Sequence, residues 1–364
     1  MKNSEILKTM LKEMEENHLN LYHDVSKEEI YNYISQIKDI DNLNCVQFDY
    51  EMCKLFSKFK DAHTMYFIPF KNINKRLFYL EGRLLIKDEN NIYKVVSING
   101  MPVKEFLSKI KETQCYETEE FLTDSIRYEI NNAYYYEMLG LLENDEITFK
   151  VLDKDLNKID INAKIVSLEE YKSLKLVEGT PFYSYQTLEN DILYIKYRKC
   201  SEHKDYPFSQ FVEEVEKEIK TKNCSKFVID LRDNHGGDSS IIKPLIELLK
   251  KKNLTGVVII NNGVFSSGRW AVADFVKNFN STLIGEPTGG AAASYGYNKN
   301  LSVEDKRFSV STRYWDFSEI FKTNGTIKPD IFVPYTIKDL TDGTDSQLEE
   351  AINYVTKKQE LKFD

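Results

Sequence analysis

The sequence predicts an α/β protein in three parts: an N-terminal helical region (residues 1–65), a small α+β region (66–175) and a larger β/α domain (176–364). Three observations carry this. Apolar residues recur at helical spacing through the first sixty positions. Short strand-like runs broken by turns follow. From "ILYIKY" onward, apolar runs alternate with amphipathic segments, which implies a largely parallel sheet with helices on its faces.

In order, "SEILKTMLKEMEENH" and "SKEEIYNYISQIKDI" place apolar residues at i, i+3, i+4 and i+7. "DVSKEEI" is a helix start, with Glu29 three residues after Ser26. "NCVQFDYEMCKLFSKFKDAHT" reads as a further helix ending near "KDAHTMYF". In the middle region "YFIPF", "FYLEGRLLI", "IYKVVSI" and "EITFKVL" read as strands. "VKEFLSKIKETQ" and "EEFLTDSIRYEINNAYYYEMLGLL" read as helices between them. "VVSINGMPVKEFLSKI" leaves two readings open: a peptide-binding module of PDZ type, or simply a strand, an Asn-Gly turn and a helix. In the last region the strands are "ILYIKY", "KFVIDLR", "TGVVIINN" and "STLIGEP". The helices are "YPFSQFVEEVEKEIKT", "SIIKPLIELLKK", "WAVADFVKNF" and a closing "DSQLEEAINYVTKK".

Bulk properties narrow the function. With 41% hydrophobic and 29% charged residues the chain has the composition of a globular protein rather than a disordered one. A net charge of −9 disfavours nucleic acid or an anionic membrane as partner, because both need a basic surface. No segment approaches the roughly 18 apolar residues of a membrane span, and the start lacks the apolar run of a signal peptide. The 5 cysteines are odd in number, widely spaced and form no CxxC, which suits a reducing compartment. A cytoplasmic protein is therefore expected, with an oligomer compatible with the sequence. No HExxH, GxxxxGK[ST] or GxGxxG pattern occurs, so neither a metal nor a cofactor is expected.

Three strand-to-helix turns have the character of a site. "FVIDLRDNHGGDSS" ends a buried strand in Gly236-Gly237, where backbone N–H groups can face a cavity, although an ordinary turn explains the pair as well. "NNGVFSSGRW" puts Ser266 and Ser267 where a strand ends and a helix begins. Serine is a good helix N-cap there, but such an elbow also suits a nucleophile. "LIGEPTGGAAASYG" is a third strand followed by small residues.

In this order the segments resemble the C-terminal-processing (tail-specific) serine peptidases and their tricorn-core relatives. The family's "DLRxNxGG", "xxSAS", "LIGExTxG" and "GIxPDI" read here "DLRDNHGG", "VFSSGR", "LIGEPTGG" and "TIKPDI", over roughly Asp191–Val355. The resemblance implies a crotonase/ClpP-like αβ core, peptide-bond hydrolysis and an unfolded or C-terminal peptide as substrate. It puts the nucleophile on Ser266, with Ser267 as the alternative. The oxyanion hole falls to Gly236, Gly237 and the N–H of Ser267, whose side chain is left to cap the helix.

One departure directs the search for a base. The tail-specific branch has a lysine inside "TFGKG", and that position is Ala291 here, with no lysine between Lys277 and Asn298. A serine hydroxyl without a base is a poor nucleophile at neutral pH. The tricorn-like branch uses a histidine in a "DxHT"-type motif, which "KDAHTMYF" resembles, so His63 becomes the expected general base; an imidazole titrates near roughly 6.5. His235, inside the Gly-Gly turn, is the alternative, while His18, His23 and His203 read as surface or packing residues. The same branch has an orienting carboxylate shortly before "PD". The candidates there are Asp316, Glu319 and Asn324, with Asp61 a further one beside the histidine. Arg269 stands where many members have Glu. Two rival functions remain: a catalytically silent peptide-binding scaffold, and a crotonase-like acyl-CoA enzyme.

Overall fold

The computed structural model describes residues 1–89, 91–153, 155–174, 176 and 181–360. The chain forms two compact units, Met1–Glu178 with Ser294–Trp315, and Gly179–Ala293 with Asp316–Asp364. The expected boundary at 175/176 begins on Lys175, which lies outside the described residues. No described helix is long and apolar enough to cross a membrane.

The first unit opens with helices Asn3–Asn17, Lys27–Ser35 and Cys45–Ser57. The second starts as its residues dictate. Ser26 Oγ accepts the Glu29 N–H at 3.2 Å, and the Glu29 carboxylate takes the Ser26 N–H at 2.8 Å. Met10, Met14, Met52 and Phe56 bury their apolar faces together with Phe308 and Val310. Those last two come from the late strand Lys306–Asp316, which lies between Tyr66–Phe67 and Ala293–Val303 in a three-stranded sheet.

A second core in this unit fills one face of a seven-stranded sheet. Strand Asn91–Ile98 turns through Asn99 and Gly100, at φ 43° and 83°, to pair Ile98 with Met101. Two positive φ values in a two-residue loop are what an Asn-Gly hairpin turn supplies. Helix Val103–Lys111 follows. The long helix expected over "EEFLTDSIRYEINNAYYYEMLGLL" is instead two, Glu119–Glu129 and Ala133–Met138. Asn131 and Asn132 divide it, because their side chains bond backbone rather than continue the helix: Asn131 Oδ1 accepts the Leu77 N–H, and Asn132 Oδ1 caps Tyr134. Strand Lys158–Val166, which the sequence did not mark, pairs antiparallel with Glu146–Leu152.

The second unit carries a six-stranded sheet in the order 331–332, 282–285, 255–260, 226–230, 192–197, 183–188. Only the last pair is antiparallel. Alternate residues of each strand face opposite sides. Ile195, Ile229 and Ile260 pack under helices Phe208–Lys222, Lys243–Lys251 and Ser267–Phe279. Tyr194, Val228 and Ile259 pack under the closing helix Ser346–Glu360. A sheet covered on both faces explains why these strands read as continuous apolar runs. It also sends the turns after Asp230, Ile260 and Gly285 out of the same end of the sheet, where open α/β sheets carry their sites.

Candidate active site

In the second unit the turn after strand Lys226–Asp230 is held by its own polar residues. Arg232 forks back onto both oxygens of Asp230, at 2.9 and 2.7 Å, and reaches Asp345 from the closing helix segment. Burial alone would raise the Asp230 carboxyl, but Arg232, with Arg198 and the Tyr194 hydroxyl, holds it at about 2. Asn234 then ties three pieces together. Its Nδ2 donates to Tyr197 O, its Oδ1 accepts the Gly236 N–H, and its carbonyl accepts the Phe265 N–H of the serine turn.

The two glycines are needed for different reasons. Gly236 has φ +97°, and a Cβ there would meet the Ser267 nitrogen at 2.6 Å and Ser266 Cβ at 2.7 Å. Gly237 has φ +131°, and its Cβ would fall 2.1 Å from the Cys200 carbonyl oxygen. The N–H of Gly236 is committed to Asn234, so this residue contributes an absent side chain rather than a donor. The N–H groups of Gly237 and Ser267 carry no hydrogen bond to any described residue.

Ser266 occupies the sharpest point of the chain here. Its backbone stands at φ 49°, ψ −124°, a region that costs a non-glycine residue roughly 1–3 kcal/mol. It is the N-cap of helix Ser267–Phe279 yet makes no side-chain capping bond. Capping therefore does not account for this serine, whereas a strained strand-to-helix turn that lifts a hydroxyl does. The Ser267 hydroxyl does not cap the helix either; it donates to the Gly237 carbonyl at 2.6 Å, stapling the elbow to the Gly-Gly turn. Arg269 is fully buried and donates to the backbone carbonyls of Ser266 and Ala291. Its guanidinium thus joins the elbow to the loop in which the sequence lacks a lysine.

His63 belongs to the first unit, where it is buried. Its backbone N–H donates to Asp61 Oδ1 at 2.9 Å and its carbonyl accepts the Ser309 hydroxyl at 2.7 Å. One atom each of Asp61, His63 and Glu117 lie within 4.8 Å of one another, a set of ligand-type groups among the described residues. Asp61 is poorly placed to join a metal, since Oδ1 accepts the His63 N–H and Oδ2 accepts from Thr64 and His18. Glu117 carries no motif in the sequence and could not have been picked from it. Asp316, Glu319 and Asn324 are all exposed in the second unit, and Asp316 accepts the N–H of Ser318. His235 is exposed beside the glycines.

A strained serine beside two N–H groups that bond no described residue, locked by buried polar clamps, has the geometry to present a hydroxyl to an acyl carbonyl and to hold the oxyanion that forms. Residues 191–255, within the second unit, match the model of peptidase family S41. A comparison with curated protein sequences finds no match. Among solved structures, mature CPAF complexed with lactacystin is similar over 99% of this chain and 98% of its own, with 10% identity and a TM-score of 0.67. The photosystem II D1 C-terminal processing protease is similar over 92% and 94%, with 11% identity and a TM-score of 0.50. At such identity the likeness speaks to the fold.

Proposed function

We propose that the chain hydrolyses peptide bonds in unfolded or C-terminal segments of proteins, with Ser266 as nucleophile and His63 as general base. The observation that carries this reading is the backbone of Ser266, strained and uncapped beside the N–H groups of Gly237 and Ser267. Ser266 Oγ attacks the peptide carbonyl while the His63 imidazole takes its proton. The two N–H groups receive the oxyanion, and Gly236 keeps the space between them open. His63 then protonates the leaving amine, and water releases the acyl group by the same steps reversed.

In this reading the negative charge beside the imidazole comes from Asp61 and Glu117 of its own unit rather than from Asp316, Glu319 or Asn324. That arrangement would put the chain with the tricorn-like Ser/His branch. The second unit would be the crotonase/ClpP-like core, and the 66–175 region a PDZ-like module that takes the peptide as an added strand. The absence of any lysine between Lys277 and Asn298 supports a histidine base over a lysine one.

A fluorophosphonate probe tests the assignment. Covalent labelling should map to Ser266 by peptide mass and fall sharply in His63→Ala. A chain that takes no label, and whose peptide binding is unchanged in Ser266→Ala, would instead be the silent scaffold.

A further inference from the structure

The sequence offers no reason to single out His18, yet its side chain is fully enclosed. Its Nε2 lies 2.9 Å from Asp61 Oδ2. On the other side of the ring, Nδ1 accepts the backbone N–H of Asn20 at 2.9 Å. A nitrogen that accepts an N–H carries no proton, so the ring hydrogen of the neutral form sits on Nε2 and is donated to Asp61. Asp61 passes the constraint on through the bond from the backbone N–H of His63. The Thr64 hydroxyl also donates to Asp61, at 2.7 Å, and Thr64 Oγ1 accepts the Ser311 N–H at 3.1 Å.

We propose that His18 is a positioning residue for His63: through Asp61 it keeps a buried carboxylate ionised and aligned beside the imidazole that takes up the proton. This rests on the reading of His63 as general base. The electrostatics agree with it. Burial would raise the Asp61 carboxyl, but the hydrogen bond from His18, the charge of His63 and the bond from Thr64 hold it below the usual carboxylate range. Without the His18 donor, burial regains weight and Asp61 moves toward its neutral form. The His63 imidazolium then loses a fixed counter-charge and its titration midpoint falls. The other titratable groups around this cluster are Glu117, Cys115, His23 and Tyr295. His23 and Tyr295 flank the His18 ring, at 6.0 and 5.4 Å between centroids.

The experiment follows the His63 imidazole by NMR of ¹³C-labelled histidine in the full chain carrying Ser266→Ala, and peptide hydrolysis with Ser266 intact. His18→Leu should lower the His63 midpoint by at least about one pH unit, and lower kcat about tenfold with KM unchanged. His18→Gln, whose amide can still donate to Asp61, should recover most of both. Asp61→Asn removes the charge at constant shape and should reproduce the lowered midpoint, including in the event that His18→Leu does not fold. An unchanged midpoint in His18→Leu or in Asp61→Asn, or no recovery in His18→Gln, overturns the inference. If His63→Ala hydrolyses peptides as well as the parent chain, the peptidase reading of His63 falls first and this inference with it.

Discussion

Replacing Gly236 by alanine perturbs the elbow without touching a reactive atom. The added methyl carbon would stand 2.6 Å from the Ser267 nitrogen, 2.7 Å from Ser266 Cβ and 3.1 Å from the Phe265 carbonyl oxygen. Two of these three are backbone atoms, so no side-chain rotation relieves the overlap. The φ of +97° adds roughly 1–3 kcal/mol of backbone strain for an L-residue. The methyl also covers the Ser267 N–H, and losing one oxyanion donor costs about 2.7–4 kcal/mol, or 10²–10³ in kcat. Gly236→Ala should therefore be folded but less stable, with kcat reduced about 100- to 1000-fold. The assay is steady-state hydrolysis of a quenched fluorescent peptide, with a thermal melt on the same sample. A folded Gly236→Ala whose kcat stays within about threefold of the parent would refute the role given to this turn.

Three further outcomes are expected. Ser266→Gly should abolish hydrolysis while raising the stability of the chain by about 1 kcal/mol in a melt, because glycine tolerates the strained φ of 49°. The Asp230 carboxyl titrates at about 2 in the folded chain, below its usual value, so its contribution is complete above roughly pH 4 and is lost as pH falls toward that value. Asp230→Asn should flatten the pH dependence of stability in that window; Asp230→Ala, which leaves the buried Arg232 with Asp345 as its remaining carboxylate partner, should cost roughly 1.5–3 kcal/mol in denaturant titration. Arg269→Met keeps the volume but removes the donors to Ser266 O and Ala291 O, and should lower kcat together with roughly 1–3 kcal/mol of stability in parallel assays.

The strands and helices that follow simple periodicity were readable in advance, above all the continuous apolar strands of the second unit and the capped helix after Ser26. What was not readable depends on partners far along the chain. The long helix expected across Asn131 and Asn132 fails because those side chains bond Leu77 and Tyr134 backbone, and no local pattern announces that choice. The strand Lys306–Asp316 packs with the N-terminal helices because Phe308 and Val310 complete their apolar face, which composition does not reveal. The serine elbow and the Gly-Gly turn were visible as motifs. The separate duties of Gly236 and Gly237 were not, since they follow from where Asn234 sends its side chain. His18 and Glu117 carry no signal at all: each matters only through a neighbour, 43 positions away for the bond from His18 to Asp61.

The most direct test is digestion of an unfolded protein by the full chain and by Ser266→Ala, followed by mass spectrometry of the fragments. The parent chain should release peptides with new C-termini, and Ser266→Ala should release none. Equal cleavage by both proteins, or no cleavage by either, would contradict a working peptidase centre at this serine.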